Sequence, residues 1–203
     1  MQINNMVTRR YALTITKSDA ASRFNEEFGD PGERAATKVK NYMTDYVQGF
    51  IRESPFAVMA TSDASGNCDA SPKGGKPGFV RILDSGHLLF PDIAGNKLFQ
   101  SYKNVDGNPS IGLLFMIPGV DDTVRVNGKA SIVGKAELDK MDVEVSLYET
   151  DERSQHLQGL MIEVEEAYGH CPRAFTFSKL WDTETIIANQ GERPIADRST
   201  QFV

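Results

Sequence analysis

The chain has 203 residues, 40% of them hydrophobic, and its 28 acidic side chains outnumber the 22 basic ones for a formal charge of −6. That length and apolar content suit one domain with peripheral additions. The acidic balance argues against a duplex nucleic-acid binder, which needs a basic face, though it leaves room for a local basic pocket around one phosphate. No apolar run approaches the ~20 residues of a membrane span, and residues 1–10 lack the apolar core of a signal peptide. Cys68 and Cys171 stand far apart with no CxxC spacing, so neither a zinc site nor a disulfide framework is indicated. They read as two free thiols in a reducing cytoplasm.

In chain order, residues 11–16 (YALTIT) suit a short edge strand, and Ser18 or Asp19 suits the cap of a brief helix from Ala20. Asp30-Pro31 supplies a second helix start, with Asp at the cap and Pro at the first helical position. From there Ala36, Val39, Tyr42, Met43, Tyr46, Val47, Phe50 and Ile51 recur at spacings of three and four. Together they predict one apolar stripe on one helix, a core-packing face rather than a cofactor box. Ser54-Pro55 ends it, because proline disfavours the helical conformation in the residue before it.

The organising stretch is 55–133. The apolar run 56–61 closes in the turn-like SDASGN of residues 62–67. After the segment CDASPKGGKPGFV (68–80) come the runs 79–83 and 87–91, joined by Asp84-Ser-Gly86. Two further strand-like runs follow at 110–117 and 123–133. Short β-rich runs separated by Gly, Asn, Asp and Pro turns predict an antiparallel sheet closing on itself.

Between the runs, Gly95-Asn-Lys97 leads into a short helix. As a local pattern it is first an ordinary turn, but such a helix start would also offer free amides and Lys97 to an anion. In 123–127, period 2 puts Thr123, Arg125 and Asn127 on one face and Val124 and Val126 on the other. That polar face is either solvated or frames a polar ligand edge. Residues 137–158 carry seven acids and read as a solvated helix or loop. Residues 159–168 alternate well enough for another strand. His170-Cys171 lacks a second ligand pair at usable spacing, so local structure accounts for it more simply than metal or thiolate chemistry. The tail from Thr183 is polar, with residues 190–194 as a loop.

In order and spacing, Asp69–Arg81, Pro91–Lys97, Gly112–Gly119 and Arg125–Ala130 resemble the pyridoxamine 5'-phosphate oxidase-like FMN-binding proteins. With them go His170–Arg173 and Lys179–Trp181, which mark a bacterial subgroup. The resemblance runs from about Ala20 to Trp181. It implies a mainly β protein with peripheral helices, built as a six-stranded antiparallel split β-barrel. On this basis residues 1–203 form one domain: an N-terminal helical extension (1–53), a barrel core (55–134) and a C-terminal helix, strand and closing segment (135–203).

The resemblance further implies a homodimer with FMN at the subunit interface, acting as a flavin-dependent oxidoreductase on a small molecule. Ser71 and Lys73 match the strand element that holds the flavin phosphate, and Asn96 and Lys97 match the loop, with Pro91 opening that segment. Asn96 stands where the family has the first residue of an Arg-Lys pair, which leaves one charge fewer on the phosphate. Thr123 and Arg125 match flavin contacts from the partner, and Trp181 the part that closes over the ring. The vitamin-specific enzyme's C-terminal Arg-x-His is missing from DRSTQFV (197–203), so pyridoxamine-phosphate oxidase activity itself is the lesser expectation and the substrate is left unassigned. A non-catalytic flavin or haem carrier, or an F420 protein with Lys73, Lys76 and Arg81 lining a basic groove, uses the same barrel.

Overall fold

The computed structural model describes residues 17–93, 98–141 and 156–196. The chain divides into two compact units, Met1–Thr37 and Lys38–Val203. In the first, the described residues form two helices, α1 (Lys17–Phe28) and the five-residue α2 (Glu33–Thr37). The edge strand expected at 11–16 lies outside the described residues.

The second unit opens with a correction to the long helix. The stripe is cut by an extended segment: Lys40 exchanges both backbone bonds with Ala167, at 3.3 and 2.7 Å. Helix α3 (Asp45–Glu53) then starts afresh at Thr44, whose hydroxyl accepts from the Val47 amide. A pairing interaction from distant sequence here overrides helical periodicity. Val47, Phe50 and Ile51 are buried as the stripe predicts, whereas Val39 and Tyr42 are exposed. Ser54 ends α3, its hydroxyl bonded back to the Phe50 carbonyl at 2.8 Å.

Seven strands follow: β1 (Phe56–Ser62), β2 (Cys68–Gly74), β3 (Arg81–Asp84), β4 (His87–Ile93), β5 (Ser110–Met116), β6 (Thr123–Gly134) and β7 (His156–His170). Helix α4 (Gln100–Gly107) precedes β5, and α5 (Lys135–Met141) follows β6. The chain closes with α6 (Arg173–Ser178) and α7 (Thr183–Gly191). The expected polar tail is thus partly helical, because Asp182 caps α7 by accepting from the Thr185 amide and hydroxyl at 2.9 and 2.6 Å.

The strands form one antiparallel sheet in the order β2-β1-β5-β6-β7-β4-β3. This corrects the expected six-stranded split barrel and its closing sheet: the described residues form seven strands, and among them no ladder joins the two edges β2 and β3. The chemistry of residues 72–80 explains the open edge. Pro72 and Pro77 have no N–H to donate. Gly78 turns the chain at φ 79°, Gly75 packs flat against Phe79, and Phe79 and Val80 bury themselves in the core instead of continuing a strand.

Paired residues share a face. Ser71, Met59, Leu113, Val126 and Ala167 lie in register across five strands, as do Lys73, Ala57, Phe115 and Val124 across four. The apolar members of both rows are nearly fully buried, so this is the core face. A bulge keeps β7 in phase with it. Asn127 pairs with Glu166 and Gly128 with Val164, which leaves Glu165 over. Leu160, Ile162, Val164 and Ala167 therefore all point inward, where strict alternation from Leu160 would bury Glu166 instead of Ala167.

Candidate functional site

Two groups of polar side chains stand out, one on each face of the sheet. On the core face, β2 turns Asp69 and Ser71 toward α4, with Lys73 next along the same face. Helix α4 buries Tyr102 and Val105 in the core and directs Ser101 and Asn104, three residues apart, at β1 and β2. The Asn104 amide donates to the Thr61 hydroxyl at 3.0 Å and to the Asp69 carboxylate at 2.7 Å. Ser101 and Ser71 bring their hydroxyl oxygens to 3.4 Å. Lys73 is half-buried beside this row, and among the described residues no carboxylate pairs with it. The start of α4 carries no side-chain cap, and Phe99 before it sits in the left-handed region at φ 51°. Tyr102 hydrogen-bonds Asp92; burial first, then that carboxylate, push its phenol pKa well above the ordinary value, so it stays a neutral donor. Two facing hydroxyls with a lysine next along the same strand face suit a phosphate.

The other face carries Thr123, Arg125 and Asn127 from β6, opposite His170, Tyr168 and Glu166 from β7. Arg125 donates to the Tyr168 hydroxyl at 3.1 Å, and Asn127 to Glu166 at 3.0 Å. Lys38 lies over the Tyr168 ring, 4.8 Å from its centroid. Small residues Ala60 and Gly112 continue this face toward β1, where they line a groove with Ile111, Cys68 and Asn127.

The expected residues therefore do not all meet. Ser71 and Lys73 share one face; Thr123 and Arg125 share the opposite one, on a strand separated from β2 by β1 and β5. Pro91 is buried in β4 opposite Gly159, next to Asp92, which takes the hydrogen bond of Tyr102. Trp181 donates to the Val120 carbonyl at 3.1 Å and stacks on Phe175, with centroids 5.7 Å apart. Asn96 and Lys97 lie outside the described residues. Lys76 is exposed in the 75–79 turn and Arg81 opens β3. Sequence reasoning missed Ser101, Lys38 and Tyr168. Period 2 along Glu166, Tyr168 and His170 was the available signal for Tyr168; Ser101 and Lys38 arrive only through tertiary contacts. Among the described residues no group of His, Cys, Asp and Glu is placed to hold a metal.

Comparison with known proteins adds a family. Residues 43–171, well over half of the chain, match the family model described as pyridoxamine 5'-phosphate oxidase. Among solved structures, the chain is similar to a candidate pyridoxamine 5'-phosphate oxidase from Lactobacillus delbrueckii, at 20% identity over 65% of this chain and 99% of that one, TM-score 0.48. It is also similar to HupZ from Group A Streptococcus, at 19% identity over 63% and 93%, TM-score 0.44. The General Stress Protein 26 from Bacillus anthracis is a third, at 17% identity over 61% and 89%, TM-score 0.40. No curated protein matches.

Proposed function

The chain belongs to the pyridoxamine 5'-phosphate oxidase family, and from that premise we propose that it is an FMN-dependent oxidoreductase acting on a small molecule. The carrying observation is the half-buried Lys73, without a carboxylate partner among the described residues, beside the facing hydroxyls of Ser71 and Ser101 under α4. A phosphate is the group those atoms fit, and a flavin mononucleotide brings one.

In this reading Lys73 binds the phosphate charge, the two serine hydroxyls donate to its oxygens, and α4 with Tyr102 keeps water from the core side. Lys97 and Asn96 would complete the cradle from the following loop. When bound, FMN supplies hydride acceptance and donation. Thr123, Arg125 and Trp181 are assigned to orientation of the ring edge. Because Thr123 and Arg125 stand on the far face of the same sheet, they reach a flavin held by Ser71 and Lys73 only from a second copy. The protein is therefore a homodimer in this proposal, with each site shared between subunits. Cys68 and Cys171 are both free and exposed, which fits a reducing cytoplasm. No described helix is long and apolar enough to cross a membrane.

The test is an absorption spectrum of the freshly purified protein, with mass analysis of any released chromophore. Released FMN, together with FMN binding weakened about 10- to 100-fold in Lys73→Ala, is the expected result, because one charge-assisted hydrogen bond is lost. Lys97→Ala should likewise strip the flavin. A colourless protein that refuses added FMN refutes the proposal. Haem or F420 in its place redirects it, and bound flavin that neither NADH nor NADPH reduces makes the protein a carrier.

A further inference from the structure

At the end of β6 and β7 nearest Thr123, the outward face collects positive charge, and among the described residues no carboxylate forms an ion pair with it. Arg125 and Lys38 both converge on one phenol ring: the Arg125 guanidinium carbon is 5.8 Å from the Tyr168 centroid and the Lys38 ammonium 4.8 Å. The His170 ring lies 4.8 Å from the same ring, and its Nε2 is buried with no hydrogen-bond partner among the described residues. The neighbouring acids are engaged elsewhere. Asp122 takes the hydrogen bond of Tyr46, whose ring packs on Gly169. Glu166 accepts from Asn127. Arg173, beyond β7, lies over Phe177 instead. Among the described residues neither Lys38 nor Arg125 pairs with a carboxylate.

Two cations on one ring repel each other, and an unpartnered buried ring nitrogen is a donor or acceptor held in reserve. Both are resolved by one anionic oxygen group. We propose that Lys38, Arg125, Tyr168 and His170 form a subsite for the carboxylate or phosphate of the substrate, so that the substrate is an organic anion. The cluster's role as a substrate subsite rests on the oxidoreductase reading above; its affinity for an anion does not.

The proposal couples binding to a proton. Burial, then the charges of Arg125 and Lys38, hold the His170 pKa below the ordinary histidine value. The groups facing it are Arg125 from β6, Lys38 from the segment before the Lys40 bridge, Tyr168 on its own strand, and the Tyr46–Asp122 pair. An anion among them reverses the local sign, and His170 takes up a proton as the anion binds.

The full-length protein as purified, with labelled histidine, should be titrated over pH by NMR in sodium chloride and at matched ionic strength in inorganic phosphate or in acetate. His170→Gln identifies the resonance among the three histidines. The expected result is an upward shift of the His170 midpoint in phosphate, acetate or both, relative to chloride. A response to phosphate alone names a phosphate ester as the substrate class, and to acetate alone a carboxylate. Lys38→Gln and Arg125→Gln should abolish the shift, and Arg125→Lys should retain part of it. A His170 midpoint that neither anion moves beyond the chloride control overturns the inference. Flavin content read on the same samples separates the two claims. A flavin-free protein whose His170 responds refutes the oxidoreductase and leaves the anion site; a flavin-loaded protein whose His170 ignores both anions does the reverse.

Discussion

Asn104 ties three elements together through one amide. Its two donor hydrogens go to Thr61 of β1 and Asp69 of β2, and it is 8% exposed. Asn104→Ala removes both bonds and leaves the 4%-exposed Thr61 hydroxyl without that donor. The expected loss is about 1–3 kcal/mol, read as a lower urea midpoint at unchanged slope. Lys73 should also lose phosphate affinity in this variant, because α4 no longer holds Ser101 against Ser71. His170 gives a second residue-scale prediction. Its folded pKa is depressed below the unfolded value near 6.5. The unfolded chain therefore binds the proton first as pH falls, so the stability held by the neutral ring is complete above pH ~6.5 and shrinks below it. Urea midpoints at pH 7 and pH 5.5 should differ more in the natural protein than in His170→Gln; equal differences would assign the acid sensitivity elsewhere. Of these residues, Lys73 and Ser71 were named through the family resemblance, whereas Asn104 and Ser101 were not named at all. Nothing in a helical Gln-Ser-Tyr-Lys-Asn says which side chain will face β2.

At the scale of elements, the bulge in β7 determines which residues the outer face presents. Without the bulge that sets Glu165 aside, the run through Leu160, Ile162 and Val164 would carry its phase onward. Tyr168 and His170 would then point into the core, and Ala167 out of it. On the partner strand, Gly128 stands against the β7 backbone so closely that an added Cβ would run into the Glu163 carbonyl oxygen. Backbone cannot swing aside as a flexible side chain can. Gly128→Ala should therefore cost about 3 kcal/mol or more. Gly134→Ala, at the open end of the same strand with nothing near its Cβ, serves as the control and should change stability little. Both are read from the urea midpoint. Equal midpoints would mean that β6 and β7 separate at the bulge without loss. The helix expected from the 36–51 stripe fails for a related reason. Its spacing is truly helical from Met43 on, but Lys40 is captured by Ala167, more than a hundred residues away.

At the scale of the whole molecule, the proposed flavin site needs two copies, because one sheet cannot turn Lys73 and Arg125 to the same side. Mixed dimers test this. If each site takes β2 from one subunit and β6 from the other, a heterodimer of Lys73→Ala and Arg125→Gln chains holds one doubly altered site and one natural one. Differently tagged and purified as the heterodimer, it should bind FMN at its intact site with natural affinity, while both parent homodimers bind weakly. A heterodimer as weak as its parents would place both residues in one subunit's site. The sequence by itself determined the β runs of 56–133, the turns between them, the helix end at Ser54-Pro55 and the polar alternation of Thr123, Arg125 and Asn127. Those features are encoded within a few neighbouring residues, by side-chain period and turn chemistry. The open seven-stranded order, the bulge at Glu165, the meeting of Lys38 with Tyr168 and the division of the site between two faces belong to the tertiary structure. Each depends on which distant strand or segment pairs with which, and in what register, and that is settled by burying the apolar face of the whole sheet at once.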